Sequence, residues 1–339
     1  MRKLMTIRKI DRIDSIENAD AIEAAVIGGW KVVTKKGEFA VGDSVIFFEI
    51  DSFLPEGVDE FAFLVEKSAR EAVNPQGENV RGHVLRTVRL RGQISQGLIL
   101  PLAWGLNADS TQDEVNEVQA RLGVFKWEPP MPAGHAIGNF PEHMARKTDS
   151  ERVQNLSQEF LSSLNPDDWF ATEKIDGTSA TFVKDEDGTF HIAGRNWELD
   201  PAASGKHGDI AKRFNLPELM PANSVLQGEI FGDGIQGNPL GMRGVHFLIF
   251  TVDVKEGAVS TSEFDEFVKT HSVPVLDIPL PATVEEALDQ VYNLKSTKNP
   301  QRQAEGVVWW NRNGEVFEET GWRPNWKAIN NRFLEKAKD

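Results

Sequence analysis

The sequence predicts an α+β protein: a small N-terminal β-barrel followed by a larger domain built on antiparallel sheets. Three observations point there. The first 100 residues carry short β-rich runs separated by glycine turns, with little helix. The second half mixes strand-like runs with short capped helices and has no βαβ period. Between them lies a break rich in proline and glycine, at Pro129, Pro130, Pro132 and Gly134.

In the first half, Ala24 to Lys35 reads as two short strands interrupted by Gly28 and Gly29, and Asp43 to Glu49 as a buried strand. Val84 to Leu90 and Gly97 to Leu100 supply more strand. From this pattern alone an oligonucleotide-binding-type barrel and another small β domain fit equally well. Residues 58–80 are an excursion, and Asp109 to Arg121 a short helix. The polar segment from Gly138 to Asp149 reads as a linker, so the expected domains are 1–145 and 146–339. Beyond it, Glu151 to Leu164 has helical character. Trp169 to Lys174, Ser179 to Lys184, Phe190 to Ala193, Val225 to Gly228, Val245 to Val252 and Gly306 to Trp310 read as strands. Helices are expected from Ser262, from Thr283 (with Glu286 completing a capping box) and over Trp326 to Lys336.

Composition narrows the classes of function. The 339 residues include no cysteine, which removes disulfides, a thiolate nucleophile and thiolate metal sites. The formal charge of −15 argues against a globally basic nucleic-acid-coating surface but leaves room for a local basic groove. No apolar run is long enough to span a membrane and no secretory h-region follows the N-terminus, so a cytoplasmic protein with no membrane partner is expected. No heptad repeat is evident, and a monomer is the expected state.

The chemistry-bearing stretch is Thr-Glu-Lys-Ile-Asp-Gly-Thr-Ser at 172–179. In an extended chain Lys174 and Asp176 share a face. A nucleophilic lysine needs a free amine, which an adjacent carboxylate opposes unless a divalent cation takes up its charge. A surface Lys–Asp pair on a hairpin is the plain alternative. Further features follow in order: Arg195 after a short strand, Glu229 at the end of an apolar one, and Phe250 in a core strand where one aromatic can face a base. Glu305 stands at the mouth of a buried strand, suited to oxygen ligation of a metal. Lys327 sits between apolar neighbours, either meeting a phosphate or snorkelling from an amphipathic helix.

This order resembles the covalent nucleotidyltransferase superfamily of polynucleotide ligases and capping enzymes. It is most similar to the ATP-dependent RNA ligases of the Deinococcus type, over nearly the whole chain. The likeness extends to Gly29 to Val33, Lys36-Gly37-Glu38, Glu49 to Pro55, Arg91 to Gly97 and Lys147 to Asn155. The resemblance implies an OB-like N-terminal barrel and a nucleotidyltransferase (ATP-grasp-like ligase) domain. It implies that Lys174 attacks ATP to form lysyl-AMP, that AMP passes to a 5′-phosphate, and that a 3′-hydroxyl then displaces it, with RNA or an RNA-containing nicked duplex as partner.

By the same resemblance, Arg195 and Glu229 hold the ribose side and Phe250 stacks on adenine. Glu173 belongs to the nucleotide pocket. Lys327 contacts the α-phosphate as the second catalytic lysine. Arg152 and Lys147 lie near the pyrophosphate or substrate. Asp176, Glu229 and Glu305 orient a hydrated Mg2+ or Mn2+. One departure is visible: the superfamily's final motif has two lysines one residue apart, and here the first is Asn325. Arg323 is a candidate replacement charge of different geometry. DNA ligases and guanylyltransferases place a barrel after that motif, whereas here it precedes Lys174. A ligase preferring DNA ends, or a nucleic-acid-binding protein without chemistry, is the alternative.

Overall fold

A computed structural model of the chain describes residues 3–130 and 134–336. It divides into two compact units: Met1–Pro130 with Gln154–Ser157, and Met131–Val153 with Gln158–Asp339. The expected Pro132 break lies partly outside the described residues.

The first unit is OB-like. Its middle strand, Ser44–Glu49, pairs antiparallel with Met5–Lys9 on one side and Gly97–Pro101 on the other. The strand reads as continuously apolar because both its faces are buried. Val45 and Phe47 pack with Ile27, Trp30 and Val32, whereas Ile46 and Phe48 pack with Met5, Leu54 and Phe61. Ile22–Ile27 and Trp30–Lys35 form the expected hairpin, turned at Gly28 and Gly29 with φ of +54° and +84°. The helix Gln112–Arg121 starts at a capping box between Thr111 and Glu114 and lays Val115 and Val118 on the second cluster. The excursion at 58–80 contains a short helix, Ala62–Ser68, and most of a hairpin, Arg70–Val73 with Asn79–Val84. Asn155 is held by this unit: it accepts from Trp30 Nε1 at 3.2 Å and donates to Glu49 Oε2 at 3.0 Å.

The second unit contains two sheets. One has six strands in the order 136–139, 197–199, 190–193, 178–184, 224–232 and 245–254. Its back is covered by Ile210 and Ala211 of the helix Lys206–Arg213 and Phe264 of the helix Ser262–His271, packed on Phe182, Leu226, Ile230 and Phe247. The other has five strands in the order 151–152, 325–329, 306–311, 169–174 and 275–276. Its back is aromatic: Trp309 stacks on Trp326 at 5.7 Å and Trp169 on Phe317 at 5.9 Å.

Three expectations are corrected. The boundary at 145/146 falls inside the second unit, because Ala136–Asn139 pairs with Trp197–Leu199 and buried Phe140 and Ala145 pack on Val183, Ala193 and Val225. The supposed linker is therefore structural. Trp326–Ile329 is strand, not helix; only Asn331–Lys336 is helical. Glu151–Arg152 is a short strand parallel to Trp326–Lys327, so helix within 151–164 is confined to a 3-10 turn at Val153–Asn155 and the α-helix Gln158–Ser163.

His191, on the strand Phe190–Ala193, is bracketed by Glu198 at 2.7 Å and Asp185 at 3.1 Å. Burial alone pulls its pKa down, but the two carboxylates outweigh it and the net shift is upward. The raised folded pKa contributes stability that is complete below the unfolded value and lost as pH rises through the folded one. His191→Gln should therefore lower stability by about 1 kcal/mol, or ~2–4 °C in Tm, at pH 6, with a smaller deficit at pH 8.5. A deficit that does not change with pH in thermal melts would contradict this.

Candidate active site

The chain crosses from the five-stranded to the six-stranded sheet through only Ile175–Gly177, between Trp169–Lys174 and Thr178–Lys184. Ile175 is buried with Phe231, Leu240, Leu248 and Val273. With Ile175 anchored inward, its neighbours Lys174 and Asp176 both line the open cleft. Gly177 is required here because a Cβ would come within 2.2 Å of the Ile230 carbonyl.

Register places the rest. Lys174 lies opposite Gly306, so Glu305 arrives beside it, and Lys174 Nζ donates to Glu305 Oε2 at 2.6 Å. Gly306 also lacks room for a side chain, since a Cβ would meet the Ala328 carbonyl at 2.1 Å. Thr172, Val308 and Lys327 form one cross-strand row, and Asn325 is two residues from Lys327 on the same strand. Glu229 pairs with Ser179 on the other sheet. Lys174, Asp176, Glu229, Phe250, Glu305, Lys327, Arg195 and Lys147 all border a cleft of about 890 Å3, a volume suited to a small ligand of nucleotide size.

Two nominated residues stand differently. Glu173 is 1% exposed, and its Oε2 accepts from the backbone and hydroxyl of Thr297 at 2.8 and 2.5 Å. It borders the cleft but alternates away from Lys174. Arg152 is outside the cleft lining and sits beside Lys327 in the parallel strand pair. Arg195 is exposed and ion-paired to Asp149 at 2.8 Å, and Lys147 Nζ is 3.3 Å from Glu142. Both can exchange these exposed partners for a ligand at little cost.

Sequence reasoning missed two groups, Gln227 and Trp310. Gln227 shares a strand face with Glu229 two residues on and donates to the Arg146 carbonyl at 2.9 Å; that spacing was its only signal. Trp310 Nε1 donates to Thr172 Oγ1 at 3.0 Å. Arg323 does reach the cleft and donates to the Lys147 carbonyl. Asn325, 8% exposed, keeps Oδ1 without a hydrogen-bond partner.

The electrostatics are those of crowded carboxylates. Burial, with the charge of Glu305, pushes Asp176 up to about 7. Burial also pushes Glu229 up to about 8. For Lys174 burial acts downward, but Glu305, Glu229 and Asp176 together leave its pKa raised. Burial, reinforced by Arg152 and Lys174, lowers Lys327 to about 7. Among the described residues no three histidine or acidic side chains converge into a direct metal cage. The oxygen donors Asp176, Glu229 and Glu305 instead suit a cation that keeps part of its hydration shell.

Comparisons with known proteins agree with this layout. A family described as an OB-fold domain matches residues 4–102, and one described as RNA ligase matches residues 167–329. A solved structure of Naegleria gruberi RNA ligase with PPi is 36% identical, with a TM-score of 0.72, covering 99% of each chain. A lysine-to-alanine variant of that ligase with ATP and Mn is 36% identical, with a TM-score of 0.72, covering 98% of this chain and 99% of that one. A glutamate-to-alanine variant with ATP and Mn is 35% identical, with a TM-score of 0.73 and full coverage of both chains. A comparison with curated proteins finds no match.

The raised carboxylates make a signed prediction. The native state retains protons on Asp176 and Glu229 that the unfolded chain releases, so stability falls as pH rises from about 5 to about 8. In chelator-treated protein the melting temperature should drop across this range, and Glu229→Gln should flatten the drop. Added Mn2+ should restore more at pH 8.5 than at pH 6, because protons compete with the cation. Equal recovery at both pH values would contradict the assignment.

Proposed function

We propose a function from one premise: the chain belongs to the ATP-dependent RNA ligase family. It is an AMP-forming enzyme that joins RNA 3′-hydroxyl and 5′-phosphate ends through a lysyl-AMP intermediate. The observation that carries the assignment to this site is the Lys174 amine beside Glu305 in a nucleotide-sized cleft.

In the first step the Lys174 Nζ lone pair attacks the α-phosphorus of ATP. The ammonium first gives up one proton to solvent to free that lone pair. The P–N bond forms as the bond from the α-phosphorus to the bridging oxygen breaks, pyrophosphate leaves, and a second proton departs, so that the phosphoramidate keeps one N–H. The AMP then transfers to the 5′-phosphate of a strand, restoring Lys174. A 3′-hydroxyl attacks that phosphate and AMP departs. Covalent storage divides one hard condensation into separate phosphoryl transfers.

Placement in the cleft supports a set of roles. Lys327 shares the cleft and its buried ammonium offers charge to the α-phosphate; an anion there favours its protonated form. Phe250 offers a ring for adenine, and Glu173 flanks the same pocket. Arg195 and Glu229 address the ribose side. Lys147 and Arg323 face the pyrophosphate or strand phosphate, with Arg323 supplying charge where Asn325 has none. Arg152 acts through Lys327. Asp176, Glu229 and Glu305 would hold a hydrated Mg2+ or Mn2+, and when bound the ion cancels carboxylate charge that otherwise keeps the Lys174 amine protonated. The manganese and ATP in the Naegleria structures support this pairing.

At a finer level, we assign the chain to the Deinococcus type, because its barrel precedes the nucleophile and the matching stretches run through both halves. Its substrate would be an RNA-containing nicked duplex, and it would act as a cytoplasmic monomer. No helix is long and apolar enough to cross a membrane among the described residues.

Incubation with ATP and Mn2+ or Mg2+ should add one AMP to the intact mass. Lys174→Ala should abolish the adduct, and chelation should suppress it. Lys327→Ala should slow its formation about 10²–10³-fold. Folded protein that gains no AMP with either metal would refute the assignment. Nicked duplexes carrying RNA or DNA at the 3′-hydroxyl side test the substrate: efficient sealing of all-DNA nicks with failure at an RNA 3′-end would overturn the RNA preference.

A further inference from the structure

In the N-terminal unit, Val88–Leu90 and Gln93–Ser95 form a two-stranded hairpin separate from the other sheets. Its inner strand is anchored. Ile94 and Ser95 are buried, Ser95 Oγ accepts from Val33 N at 3.0 Å, and the following Gln96 N donates to the Lys31 carbonyl at 2.7 Å. Its outer strand faces water along its whole length, with Val88 45% and Leu90 42% exposed.

Residues 86–97 carry three arginines and no carboxylate in a chain of net charge −15. Arg86 and Arg91 are both exposed. The Arg86 guanidinium lies over the Trp127 ring at 5.1 Å, which orients it while leaving its N–H edges available. Arg91 makes no hydrogen bond or ion pair among the described residues. It occupies the first central position of the turn at φ +53°, followed by Gly92 at +84°. Such a turn favours asparagine and glycine, and an arginine there costs about 1 kcal/mol. Strain of this kind, holding a charged side chain at the tip of an anchored hairpin, is a mark of a contact surface.

We propose that this hairpin is the surface with which the N-terminal unit grips the phosphodiester backbone of the RNA substrate, with Arg91 and Arg86 as phosphate contacts. The proposal rests on the RNA ligase reading and names where that substrate is held. Guanidinium forks match phosphate oxygens, and in an acidic protein a local basic edge is what a polyanion can approach.

The test uses Arg91→Gly, which removes the charge while relieving the backbone, and the double variant with Arg86→Gln. The probe is a nicked duplex with an RNA 3′-hydroxyl. The salt dependence of its binding is measured together with KM and kcat for sealing. The expected result is a KM raised about tenfold in the double variant, with kcat little changed. The slope of log K against log salt should be shallower by about one per arginine. Arg91→Gly should melt no lower than wild type. Self-adenylylation, which needs no nucleic acid, separates the two ideas. Its absence from wild type sinks the ligase reading, while the salt slopes still judge the hairpin. Unchanged KM and slope would overturn the proposal. So would variants that self-associate while binding RNA normally, since the arginines would then only guard an open strand edge.

Discussion

Everything at the cleft depends on one contact, the 2.6 Å ion pair between Lys174 and Glu305. Two charges removed from water in this way are expensive unless their geometry is good and their neighbours compensate. The geometry is imposed by strand register, since Lys174 pairs with Gly306 and thereby brings Glu305 alongside. Compensation is incomplete, because Asp176 and Glu229 crowd the same amine. Their carboxyls respond by holding protons to unusually high pH. The resting site is thus an ammonium held chiefly by Glu305, with protons retained on the carboxyls around it, so a change of its charge state is a matter of redistributing protons.

The scaffold is arranged to keep that contact from relaxing. Behind the five-stranded sheet, Trp169, Trp309 and Trp326 are almost fully buried and packed ring against ring. Large aromatic area at the back lets the front carry buried polar groups, which alone would weaken the fold. Lys327 and Asn325 project from the strand that those rings support. Close strand approach at Gly177, Gly228 and Gly306, where any Cβ would strike a carbonyl, makes the spacing between the reactive side chains a property of the backbone.

How much of this could be read from sequence varied with the range of the interaction. Lys174 and Asp176 on a common face followed from alternation over three residues, and the strands around them were legible from apolar runs. Lys327 was placed in the correct neighbourhood but on the wrong element. Trp326 to Ile329 has no helical period to enforce a helix, and its strand state comes from pairing with Gly306 to Trp309, a partner close in space but nonlocal in sequence. The segment from Gly138 to Asp149 looked like a linker because it is polar. Its few apolar residues, Phe140 and Ala145, find their partners on strands that begin more than 30 residues later. Gln227 was invisible as a site member because nothing local distinguishes it, whereas Arg323 was legible only as a stand-in charge for Asn325. The residues that meet at the cleft were more legible than the architecture, since Lys174, Asp176, Glu229 and Glu305 stand out by type while a strand can be built from many sequences.

The brevity of the crossing at Ile175–Gly177 has a mechanical meaning. The other passages between the two sheets are longer, such as the one that runs from Val254 through the helix Ser262–His271 to Val275. A three-residue tether allows less play than these, so it is the natural fulcrum for any rocking of one sheet against the other. Displacement in a rocking body grows with distance from its fulcrum. Lys174 adjoins that point and would be nearly stationary, as would Phe250, which packs on the cluster around Ile175, while Arg195 and Asn325 ride on longer lever arms. Any widening of the cleft about this point would leave the Lys174 nitrogen close to its place.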